Sequence, residues 1–285
     1  YTLNVENYGT IRAGGATGGI ADRSYGVAVE NYNTASRPDS ILNLVNNGDI
    51  IVSNSPISSD GVFVSGHGDV TANVKNTVNG RIIVENSASG SYGIEIGGHG
   101  AVAATITNDG EIRLENGVGT YYGIYVWSQG IAGVNPVVEA TIVNNGDILL
   151  NNGGSSQLNS YGIFVTNWSS AGSTLDLINT VDGTISLGGS SAANVTYHGV
   201  YVTGTNAEAK VMNEGTIELK NGKGNYYGIY ANGNNAKANV INTADGTISL
   251  DNGNALARNY YGIYASGSNS SVDVTNEGDI IINNN

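Results

Sequence analysis

Hydrophobic and polar residues recur along this chain in short blocks that share one layout. A block reads Asn-x-Gly-x-Ile, or the longer Asn-Thr-x-x-Gly-x-Ile, and its glycine returns every 30 to 39 residues. The copies of this glycine are Gly9, Gly48, Gly80, Gly110, Gly146, Gly183, Gly215, Gly246 and Gly278. Self-similarity at such a period is typical of solenoids and other repeat architectures.

Within each block the pattern predicts two short strands. Ile stands two residues after the glycine in every copy, and Ala, Val, Leu or Ile follows two residues later. Counting back from the asparagine, the second and fourth residues are apolar and the residue between them is polar, as in Ala238, Asn239 and Val240. Alternation with a period of two indicates strands with one buried face.

A third strand is predicted where x-Gly-[Ile/Val]-x-[Val/Ile/Ala] recurs. Its glycines are Gly26, Gly61, Gly93, Gly123, Gly162, Gly199, Gly228 and Gly262. Pairs such as Ile124 with Val126, and Ile229 with Ala231, are expected to face the interior. On strict alternation, the glycine and the residue two after it share the outer face. Tyrosines directly before the glycine then point inward or lie at a corner, namely Tyr25, Tyr92, Tyr122, Tyr161, Tyr227 and Tyr261.

Three strands in each repeat predict an all-β, right-handed parallel β-helix. We expect about nine coils of 30 to 39 residues with three short strands per coil, and a single domain over residues 1–285. Stacked coils bury faces that no repeat can cover alone, parallel strands lie ~4.8 Å apart, and parallel crossovers are right-handed. A propeller of four-stranded antiparallel blades fits the pattern poorly but stays an alternative.

Asparagines mark two corners of the predicted coil. An asparagine can adopt a left-handed backbone, and stacked copies can hydrogen-bond along the rod as an amide ladder. The anchoring column is Asn7, Asn46, Asn76, Asn108, Asn144, Asn179, Asn213, Asn242 and Asn276. A second structural column is Asn54, Asn86, Asn116, Asn152, Asn221, Asn252 and Asn284.

Composition and charge exclude several function classes. The 24 acidic residues outnumber 11 basic ones, and the formal charge of −13 argues against nucleic acid or an anionic membrane surface as partner. Absence of cysteine excludes disulfides and thiolate metal sites. No apolar stretch approaches the ~20 residues of a membrane span.

Repeats such as ITNDGEIRLENG (106–117), IVNNGDILLNNG (142–153) and VMNEGTIELKNG (211–222) resemble passenger domains of Gram-negative type V autotransporter adhesins. The large, Asn- and Gly-rich fusobacterial kind is the most similar. The resemblance implies an extracellular rod, exported through the outer membrane, that binds host cells or other bacteria. No translocator barrel, protease or lipase module is recognisable, so we interpret the chain as a segment of a longer passenger. No functional residues carry over.

Two other functions remain open at this point. The first is a filament subunit that stacks head to tail, and the second is a β-helical polysaccharide lyase or hydrolase. Glu111 and Asp147 are acids in register on consecutive coils, with Arg81 one coil earlier and Arg113 two residues along. Such carboxylates could perform acid–base chemistry or hold Ca²⁺, but charge alternation on a solvated strand explains them as well.

We predict no catalytic residue, no cofactor and no metal site. His67 and His99 occupy equivalent positions in two GHG sequences and should stack about 5 Å apart on adjacent coils. Two histidines with Asp69 provide too few ligands for a metal, so a structural corner pair is expected. His198 replaces a tyrosine before glycine and is interpreted as a member of an aromatic column.

Outward-facing aromatic residues provide the candidate for binding a glycan or protein on a host or bacterial surface. They fall on consecutive coils beside two long inserts, residues 126–140 and 165–175. The predicted binding face consists of Tyr125, Trp127, Phe164, Trp168, Tyr201, Tyr230 and Tyr264. The structural alternative is that these rings stack on one another and stabilise the sheet by ~0.2–1 kcal/mol per pair.

Overall fold

The structure is a computed structural model that describes residues 1–14, 23–130, 135–151, 157–188, 195–222, 224–251 and 259–283. These residues form 26 short β-strands joined by turns. The part of the chain that is described contains no helix long and apolar enough to cross a membrane.

The strands follow one another in groups of three. The first three groups are β1 (Thr2–Asn7), β2 (Thr10–Gly14), β3 (Ser24–Asn31), β4 (Ser40–Asn46), β5 (Asp49–Ser53), β6 (Ser59–Gly66), β7 (Val70–Asn76), β8 (Arg81–Glu85) and β9 (Ser91–Gly98). The next three are β10 (Val102–Asn108), β11 (Glu111–Glu115), β12 (Gly119–Ser128), β13 (Val138–Asn144), β14 (Asp147–Asn151), β15 (Gln157–Asn167), β16 (Ser173–Asn179), β17 (Thr184–Gly188) and β18 (Val195–Thr203). The chain continues with β19 (Glu208–Asn213), β20 (Thr216–Lys220), β21 (Gly224–Asn232), β22 (Lys237–Asn242), β23 (Thr247–Asp251), β24 (Tyr260–Ser266), β25 (Ser271–Asn276) and β26 (Asp279–Asn283).

Equivalent strands of successive groups pair into three parallel sheets. Sheet A has nine strands in the order β1-β4-β7-β10-β13-β16-β19-β22-β25, and sheet B has nine in the order β2-β5-β8-β11-β14-β17-β20-β23-β26. Sheet C has eight, from β3 through every third strand to β24. Because each strand pairs with the one a full coil away, the predicted all-β parallel solenoid with three strands per coil is confirmed.

The interior is lined by the apolar positions that the sequence pattern assigned to it. In sheet B the isoleucine after each block glycine is completely buried from β5 to β23. Ile124 and Val126 of β12, and Ile229 and Ala231 of β21, are equally inaccessible, as predicted. All three sheets contribute to one continuous hydrophobic cluster. Each buried valine, leucine or isoleucine stabilises the fold by about 1.5–3 kcal/mol, so the core alone favours stacking.

The anchoring asparagines form the predicted amide ladder along the corner between sheets A and B. Each Nδ2 donates to the Oδ1 of the next coil at 2.7–2.8 Å, from Asn7 to Asn276. The same Nδ2 atoms lie near backbone oxygens of that next coil, such as Asp147 O for Asn108, at 3.2 Å. Buried amides are thereby satisfied at a corner where the chain leaves sheet A.

The left-handed backbone, however, belongs to a different asparagine column from the ladder. Residues of the anchoring column end strands of sheet A with ordinary φ, so the expected left-handed corner there is wrong. Among the described residues, φ lies near +55° at Asn54, Asn86, Asn116 and Asn221, which follow sheet B. Asn152, Asn252 and Asn284 lie outside the described residues. The second column is therefore structural, because asparagine tolerates this conformation better than most residues.

Candidate functional site

The outer face of sheet C is built from the motif Tyr-Tyr-Gly-Ile-Tyr. In β12, Tyr121 is fully buried in the interior, whereas Tyr122 packs in a separate cluster on the outside. Ile124 faces the interior again and Tyr125 faces outward. The motif therefore projects its first tyrosine inward and its second and third outward.

A bend at the glycine produces this pattern. Strand pairing passes from Tyr122 opposite Tyr161 directly to Ile124 opposite Ile163, without a partner for the glycine. A Cβ atom on Gly123 would lie 2.5 Å from Ile148 Cγ2 in sheet B and 2.5 Å from Gly162 O. Gly123 therefore points into the interior, where only a hydrogen fits.

Two sequence predictions are corrected by this bend. Glycine does not lie on the outer face, and the tyrosines before it do not point inward: Tyr92, Tyr122 and Tyr161 belong to the outer aromatic cluster. Strict alternation failed because Gly123 and Ile124 both face the interior, which shifts the parity of every earlier residue in the strand.

Two rows of rings run along the rod on this face. In the first row the ring centroids are 4.9–5.3 Å apart through Tyr92, Tyr122, Tyr161, His198, Tyr227 and Tyr261. In the second row they are 4.9–5.2 Å apart through Tyr125, Phe164, Tyr201, Tyr230 and Tyr264. The structure thus brings five residues of the predicted binding face together in one row.

Ring stacking limits what these two rows can bind. Most neighbouring rings are within 20° of parallel, so each ring face is covered by the ring of the next coil. Tyr125 and Phe164 are 7% and 9% exposed, which leaves ring edges and not faces at the surface. A sugar that stacks on an aromatic residue needs an open face. The stacked rows accordingly have the geometry expected of the structural alternative.

The two tryptophans of the predicted face form a pair beside the second row. Their ring centroids are 5.8 Å apart, and Trp127 lies over Gly97 of the preceding coil. Trp168 is 60% exposed, and its backbone N–H donates to Ser128 O at 2.9 Å. Among the described residues, Trp127 is the ring neighbour of Trp168. Trp168 presents the most accessible aromatic surface of the predicted face.

An acidic pair interrupts the two aromatic rows near their start. Asp60 of β6 stands in register with Tyr92, and Glu95 of β9 stands in register with Phe63 and Tyr125. The two carboxyl groups take ring positions in different rows on adjacent coils. In the sequence, Glu95 stands two residues after Gly93, where most other copies carry a ring, but its proximity to Asp60 was not predicted. The sequence signal for this pair is that an acid replaces a ring in each row on neighbouring coils, Asp60 in the first row and Glu95 in the second.

The acidic pair is buried and has few donors around it. Asp60 and Glu95 are 0% and 3% exposed. Trp127 Nε1 donates to Glu95 Oε1 at 2.9 Å, and Arg23 Nη1 lies 3.7 Å from Glu95 Oε2. The Arg23 guanidinium also lies 5.7 Å from the ring centroid of Phe63. A polysaccharide could contact these carboxyl groups only if Arg23 and the neighbouring rings moved.

Burial decides the protonation of this pair. Desolvation, followed by the negative charge of Glu95, raises the pKa of Asp60 to about 9. Desolvation also raises the pKa of Glu95. Within the described residues, neither Asp60 oxygen has a hydrogen-bond donor within reach, so no hydrogen bond offsets the desolvation of its charged form. At neutral pH Asp60 is therefore the protonated partner.

His198 occupies a ring position in the first row, as predicted. Its ring stacks on Tyr161 and Tyr227 at 5.0 and 4.9 Å. Burial lowers the pKa of His198 to about 3, so the imidazole is neutral at physiological pH. It acts as an aromatic ring in the stack.

The acids once considered for catalysis lie on the exposed face of sheet B. Glu111 is in register with Asp147 and Arg81, as predicted. Arg81, however, makes two hydrogen bonds of 2.7 and 2.8 Å to Asp49. Arg113 Nε lies 3.2 Å from Glu111 Oε1. The residues form ion pairs of a solvated strand face, which are worth ~0–1 kcal/mol each.

The two corner histidines stack as expected from their equivalent positions. The centroids of His67 and His99 are 4.5 Å apart and their planes differ by 5°. Parallel rings at this distance direct their nitrogens side by side rather than toward one point. Within the described ranges, no group of three or more His, Cys, Asp or Glu side chains is placed to hold a metal ion.

The long inserts near the tryptophans are partly described. Residues 131–134 of the first insert lie outside the described residues. The second insert is held by Asn167 Nδ2, which donates to Pro136 O at 2.6 Å and to Gly172 O at 3.0 Å. Trp168 is therefore displayed on a loop that is anchored to the preceding coil.

The chain was compared with protein-family models, curated proteins and solved structures, and no match was found in any of the three. The geometry itself establishes a parallel β-solenoid with a continuous asparagine ladder.

Proposed function

We propose that this chain is a non-enzymatic structural and adhesive rod of a bacterial surface autotransporter, located outside the cell. It would attach to a glycan or protein on host cells or other bacteria. The resemblance of its repeats to autotransporter passengers motivates the location and the class of partner. The continuous core and the asparagine ladder support the structural part of the proposal, because they make one stiff scaffold along the rod.

The observation that carries the adhesive part is the exposed Trp168. Its indole is 60% exposed, and tryptophan is enriched at binding hot spots. Trp127 supports it from one side, so the exposed face is held in place before a ligand arrives. The contact surface that we propose is this pair with the outward ring edges of the second aromatic row.

The test is an array of glycans and host surface proteins probed with the purified chain. Ligands found in this way are then measured against Trp168→Ala and Trp168→Phe. We expect Trp168→Ala to weaken binding at least about tenfold, since a hot-spot residue contributes ~2 kcal/mol or more. Trp168→Phe should retain part of the affinity because it keeps an aromatic face.

Tyr8→Ala is the matched control, because Tyr8 is a similarly exposed aromatic residue, at 69%, on a different corner of the rod. Equal binding by the Trp168→Ala and wild-type proteins would refute the proposed surface. Release of reducing ends or unsaturated products from acidic polysaccharides would refute the non-enzymatic function.

A further inference from the structure

Sheet A carries an exposed apolar row that the aromatic face does not involve. The residue directly before the anchoring asparagine points outward, and on four consecutive coils it is Val143, Ile178, Met212 and Ile241. Ile178 and Ile241 are 41% and 44% exposed, and the other two are half-buried. Lys75, Thr107 and Thr275 occupy the same column on other coils, so the row is confined to one part of the sheet.

This row lies along a shallow depression in the sheet surface. The depression has a volume of about 480 Å³, and Thr141, Asp176, Lys210 and Asn239 form its other side. Apolar side chains exposed side by side on a flat sheet mark an interaction surface more often than scattered single ones do. Because its lining residues come from two columns on successive coils, the depression is elongated along the rod axis.

Charge around the row is strongly negative. Strands β13, β16, β19, β22 and β25, with the turns that directly follow them, contain two lysines, Lys210 and Lys237, and eight acids. The acids are Glu139, Asp176, Asp182, Glu208, Glu214, Asp245, Asp273 and Glu277. Lys210 is already engaged by Asp176 at 3.6 Å and Glu208 at 3.7 Å. A partner that covers the row would therefore gain from positive charge on its flanks.

The spacing of the row selects the backbone of the partner. Consecutive coils place these side chains at about 0, 4.8, 9.6 and 14.4 Å along the axis. Residues i, i+3, i+7 and i+10 of an α-helix lie at about 0, 4.5, 10.5 and 15 Å, which matches within about 1 Å. Alternate residues of an extended strand are about 6.6 Å apart and lose register after the first contact.

We propose that the row formed by Val143, Ile178, Met212 and Ile241 is a docking site for a cationic amphipathic α-helix of a partner protein, lying along the rod axis. The apolar stripe of the helix covers the four side chains, and its lysines or arginines meet the acids on both sides. A second copy of this chain is the less favourable occupant, because each copy has a formal charge of −13.

The experiment uses a designed peptide of about 18 residues with leucines at i, i+3, i+7 and i+10 and lysines elsewhere. Titration calorimetry measures its affinity for the whole chain. Circular dichroism at 222 nm measures helix formation, which is visible because the described part of the chain has no helix of its own. We expect saturable one-to-one binding accompanied by a gain in helical signal.

The double variant Ile178→Thr, Ile241→Thr should bind the peptide at least about tenfold more weakly, since two anchoring side chains lose their apolar contact. Threonine keeps the β-branch, so the strands are retained, and the thermal transition checks this. Val45→Thr is the matched control: Val45 occupies the same column and is 36% exposed, but it lies outside the row. Its affinity for the peptide should equal that of the wild type.

Two peptides separate docking from charge attraction alone. A peptide of the same composition with its leucines scattered around the helix should bind at least about tenfold more weakly, and so should a version with glutamate in place of lysine. Equal affinity of the scattered peptide, or no effect of the double threonine variant, would overturn the proposal. So would a concentration-dependent dimer that the double threonine variant abolishes, because the occupant would then be a second copy.

Discussion

Single residues on the outer face of sheet C depart from the aromatic pattern where titratable groups take the place of rings. Burial raises the pKa of both Asp60 and Glu95 near Arg23, and it keeps His198 neutral inside the stack. The effects on stability have opposite signs. Asp60 has a raised pKa, so its protonated form stabilises the fold fully below about pH 4 and this contribution is lost as pH rises toward 9. His198 has a lowered pKa, so stability is lost as pH falls below 6.5 toward 3.

Asp60→Asn should remove the alkaline part of this dependence. Between about pH 6.5 and 8.5, the folded chain retains a proton on Asp60 that the unfolded chain has released, so wild-type stability falls with a limit of about 1.4 kcal/mol per pH unit. Asparagine donates to the Glu95 carboxylate without a titrating proton. We expect a flatter slope, measured from urea midpoints at several pH values.

Glu95→Gln provides the second arm, because the glutamine amide can donate to an ionised Asp60 and so abolish the need for a proton. It should flatten the same slope. Retention of the full wild-type slope in both variants would show that the acidic pair does not bind the proton.

At the scale of elements, each strand of sheet C is shaped by its glycine. The bend at Gly123 lets the strand approach Ile148 of sheet B, and it also turns both Tyr122 and Tyr125 outward into adjacent rows. Close contact between two sheets and the existence of two aromatic rows therefore have one common cause. In a strand without this bend, only residues of the same parity would share the outer face. Tyr122 and Tyr125 are three residues apart, so they could not both point outward.

Gly123→Ala should destabilise the fold by about 1–3 kcal/mol, because a methyl group must be accommodated against Ile148 Cγ2 and Gly162 O. The free energy of unfolding in urea measures it. Gly9→Ala is the control, since a Cβ at Gly9 has no atom within 4 Å. If both substitutions cost the same, the close packing of sheet C glycines on sheet B is incorrect.

Over the whole molecule, coils are joined by contacts that repeat at every level of the rod. The hydrophobic interior, the asparagine ladder and the two aromatic rows each consist of contacts between adjacent coils. Neighbouring coils therefore depend on one another, and a break in one ladder affects both adjacent coils. A rigid rod of this kind can display loops such as residues 168–172 at a fixed position, which the proposed adhesive function requires.

Asn144→Ala should break the buried ladder at its centre. Asn108 Nδ2 loses one of its two acceptors and Asn179 Oδ1 loses its asparagine donor. Two buried groups that lose a hydrogen bond cost about 2–5 kcal/mol together. Urea denaturation of the whole chain measures the loss. Backbone strand pairing on both sides should keep the variant folded at low urea.

Asn43→Ala is the matched control, because Asn43 also donates to one asparagine and accepts from another, each at 2.8 Å. That short ladder of Asn4, Asn43 and Asn73 lies on the exposed face of sheet A, where water can replace the amide. We expect a loss below about 1 kcal/mol. An equal loss for both variants would mean that burial does not set the value of the ladder.

Strand positions, the parallel stacking in three sheets and the amide ladder could all be predicted from the sequence. Each repeat exposes an apolar face that an equivalent strand of the next repeat covers. A residue that recurs with the repeat period, such as Ile112 or Asn144, therefore contacts its own equivalent on the next coil. The aromatic column of Tyr125, Phe164 and Tyr201 followed from the same period. The right-handed winding stays a prediction.

The three-dimensional structure was needed to show which way the tyrosines beside glycine point, because the bend at Gly123 results from packing against another sheet. It also decided that Asp60 and Glu95 meet, since they lie on a diagonal between two coils. The exposure of Ile178 and Ile241 could not be predicted either, because the sequence pattern does not show whether another part of the chain covers an apolar residue on the outer face of a strand. Contacts within a repeating column are encoded by the period, whereas contacts between sheets depend on side-chain shape in three dimensions.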